Sequence, residues 1–97
     1  MVIVIGTFRV EPAERDAFLA ERVALTNHSR AEDGCVTYAF TADVVDPAVV
    51  VLTERWRDRA ALDVHLVGLK TAPQPAATPA PLSREIFIYQ ADDGVLL

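Results

Sequence analysis

His65 is the side chain of this sequence best suited to moving a proton near neutral pH, because an unperturbed imidazole titrates at about 6.5. It belongs to the series Leu62, His65, Leu66 and Leu69, whose spacing of i, i+3, i+4 and i+7 is that of a helix's buried stripe. Trp56 lies shortly before it, in a run where Leu52, Glu54 and Trp56 share one face by the strand period of two. An imidazole meeting a large aromatic at the end of a sheet makes a flat, apolar pocket with one proton acceptor. Such a pocket suits a planar aromatic ligand. A plain structural reading stands beside this one: His65 satisfied within a core, and Trp56 closing the seam between helix and sheet.

A cation is placed by the first long helical segment. There Phe18, Leu19, Val23 and Leu25 define the expected buried stripe, and Arg22, Thr26 and Ser29 fall inside it. Thr26 and Ser29 can bond to their own helix backbone. Arg22, aimed inward, needs an acceptor, so it either snorkels or pairs with an acid such as Glu54, or it forms an anion or phenolate site at the pocket rim. Tyr38 alternates with Val36 and Phe40 on one face of a strand. The expected constellation is therefore His65 as catalytic base, with Trp56, Arg22, Glu54 and Tyr38 as substrate contacts. His28 falls on the polar side of its helix and is expected to be exposed.

Other chemistries lack their residues. Two histidines far apart and one cysteine make no metal-ligand spacing. Gly6 stands alone within a strand pattern, so no phosphate-cradling loop is present, and no nucleophile elbow appears. Nothing local supports a nucleotide or flavin, and no cofactor is expected. The net charge of −5 disfavours nucleic acid and anionic membrane surfaces. The apolar opening Met1–Ile5 reads as a strand and not as a signal peptide. No apolar run approaches the roughly 20 residues that span a bilayer. A lone Cys35 excludes an internal disulfide, and a cytoplasmic location is expected.

The elements that must hold these residues follow from pattern. Val2–Val10 is a strand, apolar on both faces through its first half. Pro12 opens a helical stretch that runs from about Ala13 to Ala31, and Gly34 ends it. Cys35–Asp43 and Val49–Arg57 form a hairpin around the turn Asp46-Pro47. Asp58 caps a helix from Arg59 to about Gly68, and Glu85–Gln90 is a last strand. The segment 71–81 holds four of the six prolines and is expected to be an extended lid or tether.

The order βαββαβ predicts one domain of 97 residues, an α+β ferredoxin-like fold with four antiparallel strands and both helices on one face. The opposite face has no cover. Yet Ile3 and Ile5 oppose Val2 and Val4, and Val49 and Val51 oppose Val50 and Leu52. A water-facing sheet surface would alternate with polar residues. A second copy of the chain resolves that conflict, so a homodimer is expected.

Several segments together resemble the antibiotic biosynthesis monooxygenase (ABM) family. They are Phe8-Arg9-Val10 with Pro12 and Phe18-Leu19, then the run Ser29 to Cys35, then Asp46-Pro47, and last Glu54-Arg55-Trp56 followed by Ala61-Leu62 and His65. The resemblance covers residues 2 to about 69 and resumes at the last strand. It implies a dimeric α+β barrel with a pocket between sheet and helices. It also implies an oxygenase that converts small phenolic or quinol substrates to quinones with O2, without metal or flavin, using Trp56 in the pocket wall and His65 as proton acceptor. Two alternatives share the fold: a non-catalytic dimeric binding protein for a small aromatic molecule, and a haem-binding relative. Haem-degrading members carry an asparagine in the first strand, where this chain has Thr7 and no asparagine.

Overall fold

The computed structural model describes residues 1–74 and 79–97. The chain forms β1 (Val2–Arg9), a 3-10 turn (Pro12–Glu14), α1 (Arg15–Ala20), α2 (Val23–Arg30), β2 (Cys35–Ala42), β3 (Val49–Trp56), α3 (Arg59–Gly68) and β4 (Ser83–Gln90). The four strands make one antiparallel sheet in the order β2-β3-β1-β4. This is the expected α+β ferredoxin-like arrangement. Among the described residues no helix is long and apolar enough to cross a membrane.

The face under the helices carries the core. Val2, Val4 and Phe8 of β1 join Val50, Leu52 and Trp56 of β3 and meet Phe18 and Leu62 from the helices. The other face carries Ile3, Ile5 and Thr7, with Phe87 and Tyr89 beside them on β4. Ile5, Phe87 and Tyr89 remain about half exposed. The apolar doubling read from the first and third strands is thus a real feature of the sheet.

Three local readings are corrected. The single helix expected from Ala13 to Ala31 is interrupted at Glu21–Arg22. No glycine or proline causes this. The Arg22 side chain donates Nη1–H to the Phe18 carbonyl at 2.9 Å, the acceptor its own backbone N–H would take in a continuous helix, and that N–H goes to Leu19 O instead. The buried stripe is Phe18, Arg22, Leu25 and Ser29, which keep the helix period across the interruption, and Val23 faces solvent. In β2 the alternation slips at a bulge: Cys35 pairs with Trp56, but Thr37 pairs with Arg55. Val36 is the extra residue, and Cys35, not Val36, shares the core face with Tyr38 and Phe40. Finally, β4 begins at Ser83 and pairs with the whole of β1.

Gly34 explains why α3 can close on the turn that follows α2. Its φ is +82°, and a Cβ there would stand 2.5 Å from the Ala61 Cβ. Its carbonyl accepts from Arg57 N–H at 2.8 Å. Asp58 then caps α3, its Oδ1 accepting from Ala61 N–H at 2.9 Å. The lid-or-tether reading of 71–81 falls partly outside the described residues. What is described there begins as a tight turn, with Thr71 and Ala72 N–H both donating to Gly68 O.

Candidate active site

Strand alternation turns Glu54 and Trp56 toward the helices, and the cap at Asp58 sets α3 so that Ala61, Leu62 and His65 point back at them. Trp56 is fully buried, and its indole lies 4.6 Å from the His65 ring, centroid to centroid. The indole N–H donates to Glu54 Oε1 at 2.9 Å. His65 Nε2 stands 3.8 Å from that same oxygen. On its other side, His65 Nδ1 is 2.6 Å from Glu32 Oε1. A carboxylate only accepts, so the bond to Glu32 assigns the neutral ring's proton to Nδ1 and leaves the Nε2 lone pair on the Glu54 side. Tyr38 completes the cluster, its ring 5.6 Å from that of His65.

Electrostatics follow from burial. Removal from water pushes the Glu54 carboxyl above the ordinary carboxylate range, while the indole N–H and His65 pull it partly back. Burial, then the nearby Glu54 carboxylate, drives the Tyr38 phenol well above its ordinary value, so its hydroxyl stays protonated. The Ser29 hydroxyl, fully buried on α2, makes no hydrogen bond of ordinary geometry, although it lies close enough to favour the ionised Tyr38 slightly. Among the described residues no three His, Cys, Asp or Glu side chains converge where a cation would sit.

These groups form one end of a cavity of about 290 Å³ between sheet and helices. Val4, Phe8, Leu52, Leu62, Ile86 and Ile88 give it apolar walls, and His65, Glu54, Tyr38 and Arg22 also line it. Trp56 does not. It stands one layer back, because the strand face that buries it also brings His65 across it. Arg22 is about nine-tenths buried and does not pair with Glu54. Its guanidinium lies 3.2 Å from the Phe18 ring centroid and 5.7 Å from that of Phe40. A hollow of about 360 Å³ along α1 and α2 also borders Arg22, but it contains no base.

Sequence reasoning missed Glu32. It lies 33 positions from His65, beyond the end of α2, and no local spacing links the two. Only the Gly34 turn, which lets α3 close on that corner, brings them together. Arg84 and Gln74 were also missed as lining residues.

The chain is an α+β domain of the ferredoxin-like class, with an apolar cavity between sheet and helices that His65 and Glu54 line. The chain belongs to the antibiotic biosynthesis monooxygenase family, whose model matches residues 1–68. It is similar to Putative monooxygenase YcnE of Bacillus subtilis, at 35% identity over 67% of this chain and 68% of that one. The sequence matches span between 62% and 68% of the length of the curated relatives. Solved structures align more completely. PA3566 from Pseudomonas aeruginosa superposes with a TM-score of 0.74 and 28% identity, covering 93% of this chain and 92% of that one. MhuD, a heme-degrader from Mycobacterium tuberculosis solved with two hemes in its active site, reaches a TM-score of 0.76 at 11% identity, over 98% and 99% of the two chains. That likeness concerns the fold alone.

Proposed function

We propose that this chain is a cofactor-independent monooxygenase that oxidises a small phenolic or quinol aromatic with O2, working as a homodimer in the cytoplasm. The observation that carries the reading is the Glu32–His65–Glu54 arrangement at the closed end of an apolar cavity. His65 Nε2 takes the phenol proton, and Glu32 stabilises the imidazolium that forms. The phenolate, kept from water, is electron-rich enough to react with O2. One oxygen atom enters the ring as a new carbonyl and the other leaves as water, the phenol O–H and ring C–H supplying its two hydrogens. Phenol plus O2 thus gives quinone plus water, with no external reductant. Glu54 and Tyr38 orient the ring, Trp56 supports His65 from behind, and Arg22 supplies a buried cation for an anionic ligand. The half-exposed apolar outer face of the sheet supports the homodimer.

Oxygen uptake by metal-stripped protein tests this, with dihydroxynaphthalenes and anthrones as substrates. One O2 per substrate is expected. His65→Ala should lower the rate about 100-fold or more, and Glu32→Gln by about tenfold. Unchanged uptake in His65→Ala would discard the assigned base. Binding without uptake would make the chain a non-catalytic binding protein, and a Soret band on haem titration would favour a haem-binding one.

A further inference from the structure

The proposed chemistry occupies only one end of the cavity. The other end carries two guanidinium groups, and nothing in the proton transfer at His65 uses both. The β1 register places them. Val4 pairs with Glu54 on one side and Ile88 on the other, which marks the level of the imidazole–carboxylate cluster. Four residues along β1, about 13 Å at the strand rise, Phe8 pairs with Arg84. Arg84 therefore shares the helix face of the sheet, and it lines the cavity. Arg22 reaches the same level from the helix side. Its guanidinium rests against the Phe18 and Phe40 rings, and the Phe8 ring lies 5.6 Å from one and 5.9 Å from the other.

Neither guanidinium forms an ion pair among the described residues. Arg22 spends one N–H on the Phe18 carbonyl and keeps the rest of its fork. Burial lowers its pKa, with the neighbouring Glu21 acting in the opposite sense. Arg84 has no hydrogen-bond partner among the described residues. A guanidinium nine-tenths buried and outside any ion pair is costly, and an anion on the ligand would offset that cost. The chain as a whole carries a net charge of −5, so two such cations at one cavity mouth run against the general field.

We infer that Arg22 and Arg84 form a clamp for a carboxylate on the substrate, which is therefore an aromatic acid with its oxidisable hydroxyl at the far end, near His65. The apolar body lies between, along Phe8, Leu52 and Ile86. This rests on the reading of the cavity as a substrate site and narrows its substrate class. It also narrows the part expected of Arg22, from an anion or phenolate partner to a contact for a permanent anion.

Calorimetric titration with 2-naphthoate and with its neutral counterpart 2-naphthamide tests the clamp without requiring turnover. The naphthoate should bind about tenfold more tightly than the amide, with an advantage that shrinks as salt rises. Arg84→Gln, at an exposed position that the fold does not need, should bring the two ligands within about threefold. Arg22→Lys should weaken naphthoate binding too, because an ammonium lacks the fork. Equal affinities in the unaltered protein overturn the inference. So does a naphthoate advantage that survives Arg84→Gln, or no binding of either ligand at millimolar concentration. Oxygen uptake from neutral dihydroxynaphthalenes alongside equal affinities would sink the clamp alone. A naphthoate preference without any uptake would sink the oxygenase reading alone.

Discussion

The closed end of the cavity and its open side along β4 are built from the same sheet but obey different rules. At the closed end Trp56, Glu54, His65 and Tyr38 are all buried, and each ring packs on another. Two hydrogen bonds order the polar atoms there, the indole N–H to Glu54 and His65 Nδ1 to Glu32, with His65 Nε2 standing 3.8 Å from Glu54. Along β4 every residue is exposed, including Ile86 and Ile88 on the cavity side and Phe87 and Tyr89 on the outer side. One region is finished within a single chain. The other presents apolar surface on both faces. On the proposed reading, the chemistry falls where the chain alone sets the distances, and ligand and subunit contacts fall where the surface is still open.

Unequal stability is the strongest expectation of that contrast. Trp56→Ala should cost about 3–5 kcal/mol, through the cavity it leaves and the loss of the donor to buried Glu54. Ile88→Ala, about half exposed to begin with, should cost at most about 1 kcal/mol. Urea denaturation measures both, and similar costs would break the comparison.

Glu54 provides a sharper test within the closed end. Burial raises its carboxyl above the ordinary range, so the folded chain holds a proton that the unfolded chain has already released. Stability must then fall as pH rises from the ordinary carboxylate range through the raised value. Glu54→Gln keeps an acceptor for the indole and removes this fall. It should raise the melting temperature at neutral pH, while lowering oxygen uptake. A melting temperature that drops, or a difference from the unaltered protein that does not grow with pH, would mean that the His65 pairing outweighs burial.

The smallest effect on the fold belongs to the outer side of β4. Phe87→Lys should change the stability of the isolated subunit by no more than about 0.5 kcal/mol. It should nevertheless shift light scattering from about twice the 10.6 kDa chain mass toward that mass. A dimer that survives the charge would move the interface off this face.

Much of the framework was legible before any coordinates. The strand and helix order, the α3 cap at Asp58 and the doubling of apolar residues on β1 and β3 are local patterns, and period and capping express them directly. Places where a side chain competes with a backbone bond were not legible. Arg22 takes the Phe18 carbonyl and breaks the first helix, and the bulge at Val36 moves Cys35 to the core face. Periodicity assumes an uninterrupted ladder and cannot register either event.

The candidate site divides in the same way. His65 on the buried side of α3 and Glu54 and Trp56 on one face of β3 follow from residue type and spacing alone, because helix and strand periods fix which neighbours share a face. Only the tertiary structure brings Glu32 to His65, moves Trp56 behind the imidazole, and sets Arg22 and Arg84 at one mouth. Those relations depend on how α2, α3 and β4 come together across the sheet. Packing and the Gly34 turn settle them, and no interval along the chain encodes them.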